Sequence, residues 1–531
     1  MVRKIQAALS ELGFYLGPVT GRMNPATEAA IRLYQERTGA DTTGQPSYAL
    51  LEHLQLVEEV KQLRLRLQDT RESQIASARE ALASQSATRG LVADRTALEP
   101  ADPSRDPSLC LAEPTVPCLL DEAVASAKAI HQVHFRDWVF GEIVVTQARA
   151  GRTDEALSTL RLVDDPRLII AGLRNIVRAV ADIGRLAEAH AVAATIPLSW
   201  SQAEALAAIA PAEIGAGDSQ AARASIDRIL ELTKDSSETR RRVATLRALA
   251  VDLAQRDARQ LSDTVIDRAL MIAENEGDAD KREALLSDVA AGLADLGRRD
   301  QASTLLARIR DPKHHPSILI AQVNAHIRSG DTAPALKSAQ ALGEDRYRIL
   351  ALGRIAVAQH RAGANAEALR TLDNALASTA TIDARAAYAR DYAISNVVQS
   401  YIAIAALDQA SKVAARIGDP RLKADSLWSI VAALDRAGNG TGTASATAAA
   451  EQALDAIKSP YDQAWVLANL AQSLAAAGAE ALARQLFGRA AKATQSITSP
   501  WARAQAVVKV AASLLAVSAS DVSRKRAEAK P

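Results

Sequence analysis

With 531 residues, 63 basic against 62 acidic side chains and a formal charge of +1, the chain is too long for one ordinary core and has no global pull towards nucleic acid or an anionic membrane. Hydrophobic residues reach 48% but aromatics only 3%, so any core is built from Ala, Leu, Ile and Val. No apolar run approaches the roughly 18–20 residues that span a bilayer, and two cysteines exclude a disulfide framework and a four-thiolate zinc site.

The first 54 residues are dense in turns. Val2, Ile5, Leu9 and Leu12 recur at helical steps, and Gly13 sits where a C-terminal cap belongs. This start, MVRKIQAALSELGF, is amphipathic and has neither the apolar segment nor the cleavage site of a secretory signal. The loop Gly17-Pro18-Val19-Thr20-Gly21 calls for glycine's tolerance of positive φ. Asn24-Pro25 then reads as N-cap and first helical residue, Ala29, Ala30, Ile31 and Tyr34 continue that helix, and Leu50, Leu51 and Leu54 predict a third.

Over residues 55–92 the turns disappear. Leu56, Val60, Leu63 and Leu67 follow steps of 4, 3 and 4, a coiled-coil seam that predicts either an amphipathic helix on its neighbours or a homodimer contact. Residues 93–119 carry Pro100, Pro103, Pro107, Pro114 and Pro117 and read as an extended linker. Cys110 and Cys118 lie in this stretch, close enough to pair in an oxidising compartment.

Residues 120–516 repeat. A glycine followed five residues later by alanine recurs at Gly151, Gly184, Gly217, Gly297, Gly330, Gly363 and Gly478. Most steps are 33; the gap from 217 to 297 is two steps of 40, and from 363 the phase runs through Ala405 and Gly438. Asp-Pro or Ser-Pro opens units at Asp165, Asp311, Asp419, Ser459 and Ser499. Each unit therefore reads as helix A, a glycine turn and helix B, and about ten such units predict an all-α solenoid. The glycine-rich run GNGTGTASATAAA (438–450) has no strand before it and no lysine after it, so it reads as a long inter-helix turn and not a phosphate loop. The basic tail 517–531 is expected to be disordered, with no nucleic-acid role.

The repeat resembles the tetratricopeptide repeat, through Gly363, Ala368 and Ala375 and through Gly478, Ala483 and Ala490, although the early aromatic and closing proline are missing from most units. That resemblance implies a curved scaffold that binds a protein or peptide on its concave face. The first 54 residues resemble the small peptidoglycan-binding domain of bacterial wall hydrolases. The matching residues are Gln6, Leu9, Gly13, Tyr15, Gly17-Pro18, Gly21, Pro25, Thr27, Ala30, Tyr34-Gln35, Gly39 and Gly44. Thr20 stands where the family usually has Asp, and Asn24 where it usually has Gly. The resemblance implies a wall-binding surface around Tyr15, Gly17, Thr20, Gly21, Arg22 and Asn24, and a place in the periplasm or cell envelope.

No arrangement reads as catalytic, and none calls for a cofactor or metal: His131 and His134 lack a third ligand. Trp138, Trp200, Trp428, Trp465 and Trp501 all fall in helix A segments. Packing between units accounts for such positions, while Trp428, Trp465 and Trp501 are the candidates for anchoring a partner in a groove. The expected function is a non-enzymatic envelope scaffold that holds peptidoglycan and recruits a protein. A cytoplasmic adaptor, or an accessory subunit of a wall hydrolase, is the alternative.

Overall fold

The computed structural model describes residues 1–93, 101, 107–234, 238–310 and 315–528. The chain divides at Glu80–Ala81 into two compact units, and among the described residues the regular structure is helical throughout.

The first unit begins with α1 (Val2–Glu11), α2 (Pro25–Thr38) and α3 (Tyr48–Ser84). Asn24 caps α2 by accepting from the Thr27 backbone N–H at 2.7 Å, with Pro25 at the start where no N–H is needed. The three helices bury Ile5, Leu9, Tyr15, Ile31, Tyr34 and Leu54 in one small core. The third helix does not end at residue 54: it continues without a break through the stretch read as a separate segment, because nothing in LQLVEEVKQLRLRLQ disfavours helix. Its seam residues Leu56, Val60, Leu63 and Leu67 are all more than half exposed.

The expected linker is corrected in part. Pro100 and Pro103 lie outside the described residues. Before them lies α4 (Ser86–Arg89), and after them come α5 (Ser108–Ala112) and α6 (Val116–Lys128). Pro107 and Pro117 do not break these helices because they occupy their starts: Pro107 is the N-cap of α5, and Pro117 sits in the first turn of α6 behind the cap Thr115.

The repeats follow. Their A helices are α7 (Val133–Arg149), α9 (Pro166–Asp182), α11 (Ser199–Gly215), α13 (Thr239–Ala254), α15 (Ala279–Asp295), α17 (His315–Arg328), α19 (Asp345–Arg361), α21 (Ala387–Ala403), α23 (Pro420–Arg436), α25 (Pro460–Ala476) and α27 (Pro500–Glu528). The B helices between them are α8 (Thr153–Leu160), α10 (Leu186–Ala194), α12 (Ser219–Thr233), α14 (Arg259–Glu274), α16 (Arg299–Arg308), α18 (Thr332–Gln340), α20 (Asn365–Ser378), α22 (Leu407–Ala414), α24 (Gly440–Asp455) and α26 (Glu480–Gln495). Every glycine of the repeat signal has φ between +73° and +85°, and two units reach the same left-handed turn without glycine, at Asp257 (φ +59°) and Ala405 (φ +58°). Asp257 is where two steps of 40 place the missing turn. Asp311-Pro312 lies outside the described residues. The glycine-rich run 438–450 is helix and not a long turn: Asn439 caps α24 by accepting from the Gly442 N–H at 3.0 Å, and the alanines carry the helix on. The tail is corrected in part: α27 continues through Glu528, ending on the good helix formers Arg524-Lys525-Arg526-Ala527-Glu528, and residues 529–531 lie outside the described residues.

Each A helix packs on the next, and α27 packs on α7, so the row of A helices closes on itself. The closure is made by a swap in chain order. The last described A helix, α27, is packed along its side by α6, from before the first repeat, with Leu119, Leu120 and Ala123 fully buried. Ten pairs are thus consecutive, and the eleventh joins the two ends of the array. Consecutive A helices touch all the way round, whereas no consecutive B helices are comparably close among the described residues. In a closed two-layer ring the tighter layer is the inner one, so the A helices line the inside.

Candidate functional site

In the first unit, one buried side chain organises the loop that carries the resemblance. The Gln6 amide donates to the Arg22 carbonyl at 2.9 Å and to Thr27 Oγ1 at 2.8 Å, and its oxygen accepts from the Gly21 N–H at 2.8 Å. Gln35 does the same for the next loop, accepting from Gly44 N–H at 2.8 Å and donating to Thr43 Oγ1 at 3.0 Å. Two side-chain amides, each both donating and accepting, therefore fix two loops that have no regular backbone ladder.

The six residues expected at a wall-binding surface separate into two groups. Tyr15 is buried and its hydroxyl donates to the Pro18 carbonyl at 3.1 Å, so it supports the loop from inside. Gly17 lies against that ring, where a Cβ would come within 2.7 Å of it, and Gly21 has φ +79°. Asn24 is spent on its cap. Thr20 and Arg22 are exposed, joined by Thr20 Oγ1 accepting from the Arg22 N–H at 3.3 Å, and Leu16 and Met23 are exposed beside them in sequence. A ligand on this loop meets Thr20 and Arg22, while Tyr15, Gly17, Gly21 and Asn24 shape it.

Residues 1–54 match the family described as "Putative peptidoglycan binding domain". The match covers about a tenth of the chain. No curated protein matches the chain. Solved structures with similarity include Ton1535 from Thermococcus onnurineus NA1, at 15% identity over 59% of this chain and 97% of that one, with a TM-score of 0.29. Another is a circular tandem repeat protein with novel repeat topology and enhanced subunit contact surfaces, at 13% identity over 98% of both chains, with a TM-score of 0.19.

Beside this peptidoglycan-binding-like module, the repeat unit has its own candidate surface. Trp428 is not on it: the side chain is 1% exposed and part of the core. Trp465 and Trp501 are half-buried and lie on the inner layer. Trp501 gathers aromatics from both ends of the array. Tyr461 lies 5.9 Å from it at 26° between planes, Trp138 6.4 Å at 28°, and Phe135 at 5.8 Å. Trp465 continues the row through Tyr461 at 6.1 Å, and Lys509 lies 5.2 Å over its ring. Trp138 and Trp501 are 363 residues apart, so no local signal in the sequence joins them.

Below this row, α21, α23 and α25 enclose a groove of about 550 Å³. Its walls carry Tyr388, Tyr461 and Trp465, and its polar groups include Asp425, Asn469 and Gln472. Arg421 lines the groove as well and is already paired, with Asp419 at 2.8 Å and Asp462 at 3.5 Å, and its guanidinium lies 5.7 Å over the Tyr388 ring. Burial pushes the Asp425 carboxyl up from its ordinary value.

Cys110 and Cys118 form a disulfide in this structure, with Cα atoms 5.8 Å apart. It ties α5 to the start of α6, and α5 in turn packs on α26. No described helix is long and apolar enough to cross a membrane.

Proposed function

We propose that the protein is a non-enzymatic scaffold of the bacterial cell envelope, anchored to peptidoglycan by residues 1–54 and presenting its ring of repeats to a protein partner. The observation that carries this reading is the family match over 1–54, joined to a loop whose backbone is fixed from inside and whose exposed edge, Thr20 and Arg22, is free for a ligand. The Cys110–Cys118 disulfide supports an oxidising compartment, which the envelope supplies and the cytosol does not.

Two copies pair through α3 in this reading. Val60 falls at an a position between Leu56 and Leu63 at d, the arrangement that favours two strands, and Glu59 at g faces Arg64 at e of a parallel partner.

The anchor is tested by pelleting purified full-length chain with insoluble peptidoglycan. Retention is expected, and a Thr20→Ala, Arg22→Ala double variant, which alters only exposed side chains, should lower it several-fold. A chain that stays wholly in the supernatant would remove the anchor. In that case the cytoplasmic adaptor, which Thr20 favours by standing where the family usually has Asp, becomes the reading to pursue, and cell fractionation decides it.

A further inference from the structure

We propose that the groove between α21, α23 and α25, with the aromatic row that leads from it across the ring closure, is a saccharide-binding site for an N-acetylated glycan strand. The choice of an N-acetylated glycan rests on the wall-binding reading above; the site itself does not.

Equivalent positions around the ring show that the fold does not require this row. At the second and sixth places after the N-cap, the A helices near the closure carry His134 and Trp138, Tyr388 and Tyr392, Arg421 and Asp425, and Tyr461 and Trp465. Over the rest of the ring, α9, α13, α15 and α19 hold at the same places Arg167 and Ala171, Arg240 and Ala244, Asp280 and Ala284, and Arg346 and Leu350. The helices there pack equally well with small or charged residues. Trp200 is the exception there, and it is covered: its indole donates to Glu204 at 3.3 Å and Arg241 lies 5.0 Å over its ring. Near the closure the rings stay open to solvent, with Tyr388 57%, Tyr392 51%, Trp138 48% and Phe135 41% exposed.

The polar groups between the rings select the ligand. Asp425 is largely buried in the groove, yet no described residue donates to it, and Asn469 and Gln472 are likewise uncommitted. A carboxylate partly withdrawn from water gains from any donor that reaches it. Sugar hydroxyls and acetamido N–H groups are such donors, while the C–H faces of pyranose rings match aromatic planes. Arg421, the cation among the described lining residues, is already paired with Asp419 and Asp462, which lowers the groove's pull on an anionic ligand. It also offers no strand edge to an extended peptide, since helices form every wall.

The test uses the full chain and a hexamer of β-1,4-linked N-acetylglucosamine, titrated by tryptophan fluorescence and by calorimetry. Saturable binding is expected. Asp425→Asn should weaken it about tenfold, the effect of losing a charged hydrogen bond, while raising the thermal midpoint, because a partly desolvated charge is removed. That pairing of weaker binding with higher stability separates a ligand role from a structural one. Tyr388→Ala, on an exposed side chain, should weaken binding at least fivefold, and the Thr20→Ala, Arg22→Ala variant should leave it within twofold. The proposal is overturned by absence of saturable binding at millimolar hexamer, by binding that both ring variants leave unchanged, or by binding of an unstructured peptide in place of the hexamer. Hexamer binding abolished only by the module variant would overturn the groove and leave the wall anchor standing. Ring-dependent hexamer binding in a chain that peptidoglycan does not retain would support the groove and remove the anchor.

Discussion

At Ala405 the repeat asks an alanine to do a glycine's work. Its φ of +58° lies in the left-handed region that costs a side-chain-bearing residue about 1–2 kcal/mol, partly offset by the flexibility that glycine brings to the unfolded chain. Ala405→Gly should therefore stabilise the protein by roughly 0.5–1 kcal/mol, read as a higher urea midpoint; a lower midpoint would show that this turn is not the strained one. The position was legible because the repeat phase predicts a turn there whatever the residue. Asp257 was legible in the same way. The roles inside the first loop were less so. Tyr15, Gly17 and Asn24 stand beside Thr20 and Arg22 in the sequence, and only the geometry separates supports from surface. Gln6 appears in the sequence as one matching residue among many, and its place as the loop's organiser needs contacts with residues 15 to 21 positions away.

Between elements, the joints are made by buried carboxylates and by the clasp of α6 on α27 that closes the ring. Asp391 accepts from the Gly418 and Asp419 N–H groups at 2.9 and 2.7 Å, and Asp137 accepts from those of Asp164 and Asp165 at 2.9 and 2.8 Å, so an A helix holds the start of the next unit in two separate places. At the clasp, Leu120 is fully buried in α6. Leu120→Ala should cost about 2–5 kcal/mol, the usual range for a buried leucine, and should make α27 the first site of proteolysis; early cleavage elsewhere would contradict α6 as its partner. The clasp was hidden in the sequence because proline density reads as extended chain, whereas here prolines open helices. The α3 seam was legible as a pattern, and its exposure now makes pairing testable by sedimentation. The chain is expected to be dimeric at micromolar concentration and Leu63→Glu monomeric, while a monomeric wild type would remove the pairing.

For the whole array, period and phase predict how many units there are but not how sharply they curve, since curvature comes from the small angle at each packed interface. Closure could not be read from sequence for that reason, and neither could the aromatic row, whose members come from opposite ends of the chain. Closure also changes what the repeats can do: an open solenoid offers a concave face with two frayed ends, whereas the ring offers an inner surface whose most distinctive chemistry lies on the seam. Native-state hydrogen exchange resolved by helix tests this most directly. In an open array the terminal repeats exchange first. With α6 and α7 seated on α27, the account predicts that the amides of α7 and of α27 up to Val517 are protected as strongly as those of α15 and α25. Fast exchange confined to α6, α7 and α27 would mean that the ring is open in solution and would contradict the account.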